Sequence, residues 1–222
     1  IAKIEHVCSL AGRAFARVPE IAGIGRPLSA VFRDFQALLL AEGADWVPYL
    51  AGGAGPDGYG DVISPADDRP LATGDVLMLD TGAVWDGYFC DFDRNFAVGA
   101  PSQSARDAHA RLIDAVDAGA ATARPGATAA EVFHAMDRIV TGGAGSSEAG
   151  RLGHGLGMQL TEGLSLIPDD RTVLEPGMVI TLEPGVETGP DRIMVHEEDI
   201  VITETGCRFL SPRAGRDLTV LA

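Results

Sequence analysis

The chain has 222 residues, long for one domain and short for two, and 46% of them are apolar, enough for a real core. Acidic residues outnumber basic ones 32 to 17, for a formal charge of −15, which argues against a surface built to bind nucleic acid or anionic membranes. No apolar run approaches the ~18 residues that a membrane span needs, and no basic-then-apolar leader opens the chain.

The three cysteines, Cys8, Cys90 and Cys207, are odd in number and form no CxxC pair, so a reducing cytoplasm is expected rather than a disulfide framework. The chain opens on Ile1 rather than Met, at the head of an already helical pattern, which implies that something upstream has been removed.

Taken in order, Ile4, Val7, Ala11, Phe15 and Val18 recur at helical spacing. Residues 23–27 break that helix. Ser29 is positioned to cap a second one running to about Glu42, with Gly43 as its stop. The glycine-rich stretch 52–56 carries neither GxGxxG nor GKS/T, so it reads as a turn rather than a phosphate cradle. Residues 76–79 and 83–96 read as strands joined by a tight turn. An Ala-rich helix follows over 102–123, then a Pro125-Gly126 break. Thr128 with Glu131 forms a capping box for a helix to about Val140. Residues 142–150 read as loop, and strands recur at 178–183 and 193–203.

The order repeats. Each half reads helix, break, capped helix with a Val-Phe pair (Val31-Phe32 and Val132-Phe133), then strands. Each half also carries a related strand motif, Gly74 leading to Asp80-Thr81-Gly82 and Gly177 leading to Glu183-Pro184-Gly185. A period of half the chain predicts two related halves, about 1–100 and 101–222, in one α+β domain over residues 1–222.

The chemistry concentrates in five residues. Asp80 and Glu183 each end an apolar strand, where a carboxylate cannot stay charged without a partner. Asp91 and Glu198 lie in the strands that follow, and Glu198 stands between Glu197 and Asp199, a crowding that cations would relieve. His154 is flanked by glycines in Gly153-His154-Gly155-Leu156-Gly157. Four carboxylates and one imidazole suit Mn, Co, Fe or Zn as divalent ions, and five donors suit two ions better than one tetrahedral zinc.

These motifs, in this order, resemble those of the pita-bread metallopeptidases, the group of methionine aminopeptidase, Xaa-Pro aminopeptidase, prolidase and creatinase. The matching segments are Asp80-Thr81-Gly82-Ala83 with Asp91 and Arg94, then Gly153-His154-Gly155-Leu156-Gly157. Gly177-Met178-Val179 leading to Glu183-Pro184-Gly185 follows, and last Glu198-Asp199 with Val201 and Thr203. The resemblance implies the pita-bread fold, two pseudo-symmetric halves around a curved, mostly antiparallel sheet. It further implies that Asp91 and Glu198 bridge two ions, that Asp80 completes one, and that His154 with Glu183 completes the other. Glu183 would shuttle a proton from the attacking water to the leaving amine. The implied activity is hydrolysis of C–N bonds, of the Xaa-Pro dipeptidase or aminopeptidase type, in a homodimer without the N-terminal domain of longer relatives. A small non-peptide metabolite as substrate and a silent binding module are the alternatives.

The chain departs from the prolidase pattern at two substrate-touching histidines. One position is Thr161, able to donate a hydrogen bond to an oxyanion, and the other falls near Ile63, in a stretch without histidine. Two unusual residues suggest compensation. Asp93 shares a strand face with Asp91, and His196 shares one with Glu198. An Asp93–His196 pair is therefore expected, with His196 as a catalytic proton-transfer residue. Trp46, Tyr49, Trp85 and Tyr88 are expected mainly in the core.

Overall fold

The computed structural model describes residues 1–63, 65–144 and 150–222, so part of the expected loop at 142–150 lies outside the described residues. α1 (Ala2–Ala16) buries Ile4, Val7, Cys8, Leu10, Ala11, Ala14 and Phe15 along one face, and a single further turn, α2 (Val18–Ile21), holds Pro19 in its first positions. α3 (Leu28–Ala41) begins after Pro27. Ser29 is not its cap: it lies inside the helix, and its hydroxyl reaches Asp68 instead. Gly43, at φ +111°, ends it as expected.

The glycine-rich stretch is not a turn. It belongs to β1 (Trp46–Pro56), which pairs antiparallel with β2 (Asp75–Trp85). Glycine is needed because the strands are crowded: a Cβ on Gly52 would stand 2.1 Å from the Met78 carbonyl oxygen. β2 also runs without a break through Asp80, Thr81 and Gly82, where a turn was expected. The chain reverses at Asp86-Gly87, with φ +48° and +80°, in a tight hairpin turn. β3 (Tyr88–Phe89) and β4 (Phe92–Val98) return along β2.

α4 (Gln103–Thr122) is capped by Ser102, whose hydroxyl accepts the Ala105 N–H at 3.0 Å. α5 (Ala129–Val140) carries the expected capping box, with Thr128 and Glu131 each accepting the other's backbone N–H. The rest of the chain forms β5 (His154–Gly155), β6 (Glu162–Ser165), β7 (Val179–Leu182) and β8 (Gly185–Gly189), then β9 (Arg192–Val195), β10 (Glu198–Ile202), β11 (Cys207–Phe209) and β12 (Thr219–Leu221). The strand expected over 193–203 is therefore two, broken at His196-Glu197.

Two five-stranded sheets result. One runs β1-β2-β4-β12 with β3 alongside β2, the other β11-β10-β7-β5-β6, and β8 with β9 makes a separate ribbon. α1 and α3 cover a core that includes Phe35, Leu77, Leu79 and Phe92, while α4 and α5 cover one that includes Leu112, Phe133, Ile180 and Ile200. β2 is buried on both faces, Leu77 in the first core and Met78 in the second, which explains its continuous apolar run. Among the described residues no helix is long and apolar enough to cross a membrane.

The Gly52→Ala variant is expected to lose roughly 2–4 kcal/mol of stability, because the new methyl must displace the β2 backbone. Urea unfolding measures this as a lower midpoint at unchanged slope.

Candidate metal centre

β2 and β4 pair so that Asp80 stands opposite Asp93, and Asp91 lies on the same face just before β4 begins. Like charges opposed on one face oppose folding unless something neutralises them. Tyr49, reaching over from β1, donates its hydroxyl to Asp80 Oδ2 at 2.9 Å.

From the other half, His154 enters on β5. Its glycine neighbours are structural: a Cβ on Gly153 would meet the Thr181 carbonyl oxygen at 2.2 Å, and one on Gly155 the Glu162 carbonyl oxygen at 2.1 Å. The imidazole donates from Nδ1 to the Gly155 carbonyl at 2.9 Å, since a carbonyl can only accept. That fixes the tautomer and leaves the Nε2 lone pair free as a ligand. Nε2 stands 3.3 Å from Asp91 Oδ2 and 3.9 Å from Glu183 Oε1. Burial lowers the His154 pKa to about 4, so the ring is neutral at pH 7, the form that binds metal.

Glu183 follows β7. The β7–β10 register sets Leu182 against Glu198, which places Glu183 opposite Glu197, not opposite Glu198. The structure thus brings Glu197, rather than the expected Glu198, toward Glu183. Asp91, His154 and Glu197 each bring one donor atom to within 4.8 Å of the others. Glu198 points to the other face, because adjacent side chains of an extended chain alternate. There it is fully occupied. Oε2 accepts from Arg94 Nη2 at 2.9 Å and from the Ser211 hydroxyl, and Oε1 accepts from the Ala214 N–H at 3.0 Å and lies 3.2 Å from His196 Nε2. Burial alone would raise Glu198, but Arg94, His196 and Ser211 outweigh it and hold the pKa near about 2.

The expected Asp93–His196 pair is present, with Nδ1 3.1 Å from Asp93 Oδ1. Both ring nitrogens of His196 are thus engaged, and the residue is fully buried. Transfer of a proton to substrate requires reach, so this burial and pairing favour a positioning role for His196 over the expected catalytic one. Thr161 does lie at the site, its Oγ1 accepting from Arg151 Nη2 at 3.1 Å.

A reciprocal latch joins the halves. Asp199 Oδ2 accepts the Asp91 N–H at 3.0 Å, and Asp93 Oδ1 accepts the Glu197 N–H at 3.0 Å. Each bridging candidate is therefore held by the acid that lies two residues beyond the other. Cys8, from α1, also donates to Asp199 Oδ2 at 3.2 Å. Sequence reasoning missed Glu197, Tyr49, Arg151 and this latch. The β7–β10 register was the signal that could have found Glu197.

The arrangement is electrostatically incomplete. Asp80 Oδ1, Asp91 Oδ1 and Glu197 Oε1 are buried without a hydrogen-bond partner among the described residues. Burial, then the neighbouring carboxylates, raises Asp91 and Glu197 well above the carboxylate range. Burial and then Asp93 push Asp80 to about 8, and burial pushes Glu183 to about 7 despite Arg151. Orphaned oxygens, carboxyls reluctant to ionise and a neutral imidazole fit divalent cations.

The chain belongs to metallopeptidase family M24, whose model matches residues 2–204. It is 36% identical over 198 residues to the probable dipeptidase PepE of Mycobacterium tuberculosis, covering 87% of this chain and 52% of that protein. It is 31% identical over 218 residues to the Xaa-Pro dipeptidase of Pyrococcus furiosus, covering 94% of this chain and 60% of that protein. The crystal structure of dipeptidase PepE from Mycobacterium ulcerans superposes with a TM-score of 0.91 at 29% identity, over 99% of this chain and 59% of that one. The chain thus spans between 52% and 60% of the length of these relatives.

Raised carboxyl pKa values favour the folded state only while the groups are protonated. That contribution is complete below the ordinary value of 3.8 and is lost as pH rises through about 7 to about 8. The melting temperature with chelator present is expected to fall between pH 6 and pH 8.5, and added Mn²⁺ to abolish the fall, by thermal melts across that range. Glu197→Ala is expected to weaken Mn²⁺ binding by more than about tenfold in calorimetry. Glu198→Gln should instead cost stability, roughly 1–3 kcal/mol, with metal stoichiometry unchanged.

Proposed function

We propose that this chain hydrolyses the amide bond of small peptides, of the Xaa-Pro dipeptidase or aminopeptidase type, with two divalent ions held by Asp80, Asp91, His154, Glu183 and Glu197. One observation carries the reading: donors of Asp91, His154 and Glu197, from both halves of the chain, lie within 4.8 Å of one another with buried oxygens left unpaired. Oxygen donors with a single imidazole suit Mn²⁺, Co²⁺, Zn²⁺ or Fe²⁺. Bound there, such ions polarise a carbonyl and lower the pKa of water toward neutrality.

The side chains supply the rest. Glu183 keeps 24% of its side chain exposed, which leaves it open to taking a proton from the attacking water and giving it to the leaving amine. Tyr49 orients Asp80, and the bond from Nδ1 to Gly155 orients His154. Asp93 and Asp199 hold the backbone at Glu197 and Asp91, with His196 bracing Asp93. The names of the relatives, dipeptidase and Xaa-Pro dipeptidase, support a small peptide substrate. The reading includes a homodimer in the cytoplasm; Cys8, Cys90 and Cys207 are free thiols, in keeping with a reducing compartment.

The test is a panel of Xaa-Pro and non-proline dipeptides incubated with protein and Mn²⁺, Co²⁺ or Zn²⁺, with amino-acid release measured. Metal-dependent release, abolished by chelator and reduced by about 10²–10⁴-fold in Glu183→Gln, is expected. No release with any metal would contradict the reading.

A further inference from the structure

The two acids of the latch are built alike. Asp93 Oδ1 accepts the Glu197 N–H at 3.0 Å and lies 3.1 Å from His196 Nδ1, while Asp93 Oδ2 is buried without a hydrogen-bond partner among the described residues. Asp199 Oδ2 accepts the Asp91 N–H at 3.0 Å and the Cys8 thiol at 3.2 Å, while Asp199 Oδ1 is likewise buried and unpartnered. Cys8 thus stands to Asp91 as His196 stands to Glu197. Each is a side chain from outside the candidate ligands that shares one carboxylate oxygen with a ligand's backbone.

Asp91 depends on that oxygen more than an ordinary strand residue would. The β2–β4 ladder ends with Thr81 opposite Phe92, and the β2–β3 ladder takes up with Val84 opposite Phe89, so Asp91 belongs to neither. Its N–H has left the sheet, and Asp199 receives it. The Asp199 main chain is fixed from the other side, its N–H donating to Ser211 Oγ at 3.0 Å and its carbonyl accepting the Leu210 N–H at 2.8 Å. Among the described residues the carboxylate is held at Oδ2 alone, by Asp91 and Cys8. Burial, then the Asp199 charge, raises the Cys8 thiol well above its usual range, which keeps it protonated and able to donate. A thiol is a weak donor, but both partners are fully buried, where low polarity strengthens each bond. An apolar side chain of the same size would fill the place on α1 equally well and would leave Oδ2 one donor short.

We propose that Cys8 is a positioning residue of the metal centre: its thiol fixes the Asp199 carboxylate, and Asp199 fixes the Asp91 backbone at the reach that the Asp91 side chain needs to bridge two ions. This rests on the two-ion reading above and goes beyond it, because it ties α1 to the geometry of the centre. Removing a group that orients a metal ligand costs about 10–100-fold in affinity, and a thiol acting through a second residue belongs at the lower end of that range.

The test measures Mn²⁺ affinity by calorimetry, without substrate, in wild type, Cys8→Val, Cys8→Ser, Asp199→Ala and the protein carrying both Cys8→Val and Asp199→Ala. Cys8→Val is expected to bind Mn²⁺ about tenfold more weakly, and Cys8→Ser, which keeps a donor, to stay within about threefold of wild type. In the Asp199→Ala background, Cys8→Val should have no further effect, because the thiol acts through that carboxylate. A role confined to helix packing would not be rescued by Ser and would weaken binding equally in both backgrounds. Melts of the metal-free proteins set the temperature at which every variant is folded; if Asp199→Ala does not fold, the contrast between Cys8→Val and Cys8→Ser decides. Wild-type affinity in Cys8→Val, a loss in Cys8→Ser as large as in Cys8→Val, or a loss undiminished in the Asp199→Ala background would overturn the role. No Mn²⁺ binding by wild type would overturn it together with the two-ion centre. The expected affinities without hydrolysis of any dipeptide would support the role and overturn the peptidase reading alone.

Discussion

Buried like charge is the constraint that organises this molecule. Asp80, Asp91, Glu183 and Glu197 are drawn from both halves of the chain into one buried cluster, where desolvation and mutual repulsion both oppose ionisation. An apolar core of the same shape would be more stable, so the cluster exists for what neutralises it. Everything nearby serves that end. Glycines at 153 and 155 let the His154 strand pass within touching distance of its neighbours, and the hydrogen bond from Nδ1 turns the free nitrogen inward.

The two halves lock together through the same acids. Asp199 holds the backbone of Asp91, and Asp93 holds that of Glu197, so the two sheets meet where the bridging candidates sit. The outer charges are handled differently from the inner ones. Glu198 is satisfied by Arg94, His196, Ser211 and the Ala214 N–H, and its low pKa is that of a completed ion-pair network. Glu197, one residue away, keeps an unpartnered buried oxygen. Adjacent residues on an extended chain thus divide the work, one fastening the fold and the other facing the site.

Much of this was legible in the chain itself. The Thr128–Glu131 capping box, the Gly43 stop and the repeated strand motifs at Asp80 and Glu183 reflect local chemistry, and the structure bears the local elements out. The failures were non-local. Gly52, Gly53 and Gly55 resemble a turn in isolation, yet they lie in a strand, where β2 leaves no room for a Cβ at Gly52. Asp86-Gly87 is a strong hairpin signal, and it carries the turn that the apolar pattern alone places after Leu79. Glu198 and Glu197 are one residue apart, and a shift of one on a strand exchanges its faces. Only the pairing of Leu182 with Glu198 settles which acid faces Glu183. The Asp93 partner of His196 is legible from strand spacing, but its burial depends on packing that spacing does not encode.

The most direct measurement is anomalous X-ray scattering from crystals grown with Mn²⁺. The account predicts two peaks bounded by Asp80, Asp91, His154, Glu183 and Glu197, with the Glu198 carboxylate still turned toward Arg94 and Ser211. Peaks elsewhere, no peak within the cluster, or Glu198 in place of Glu197 as a ligand would contradict it.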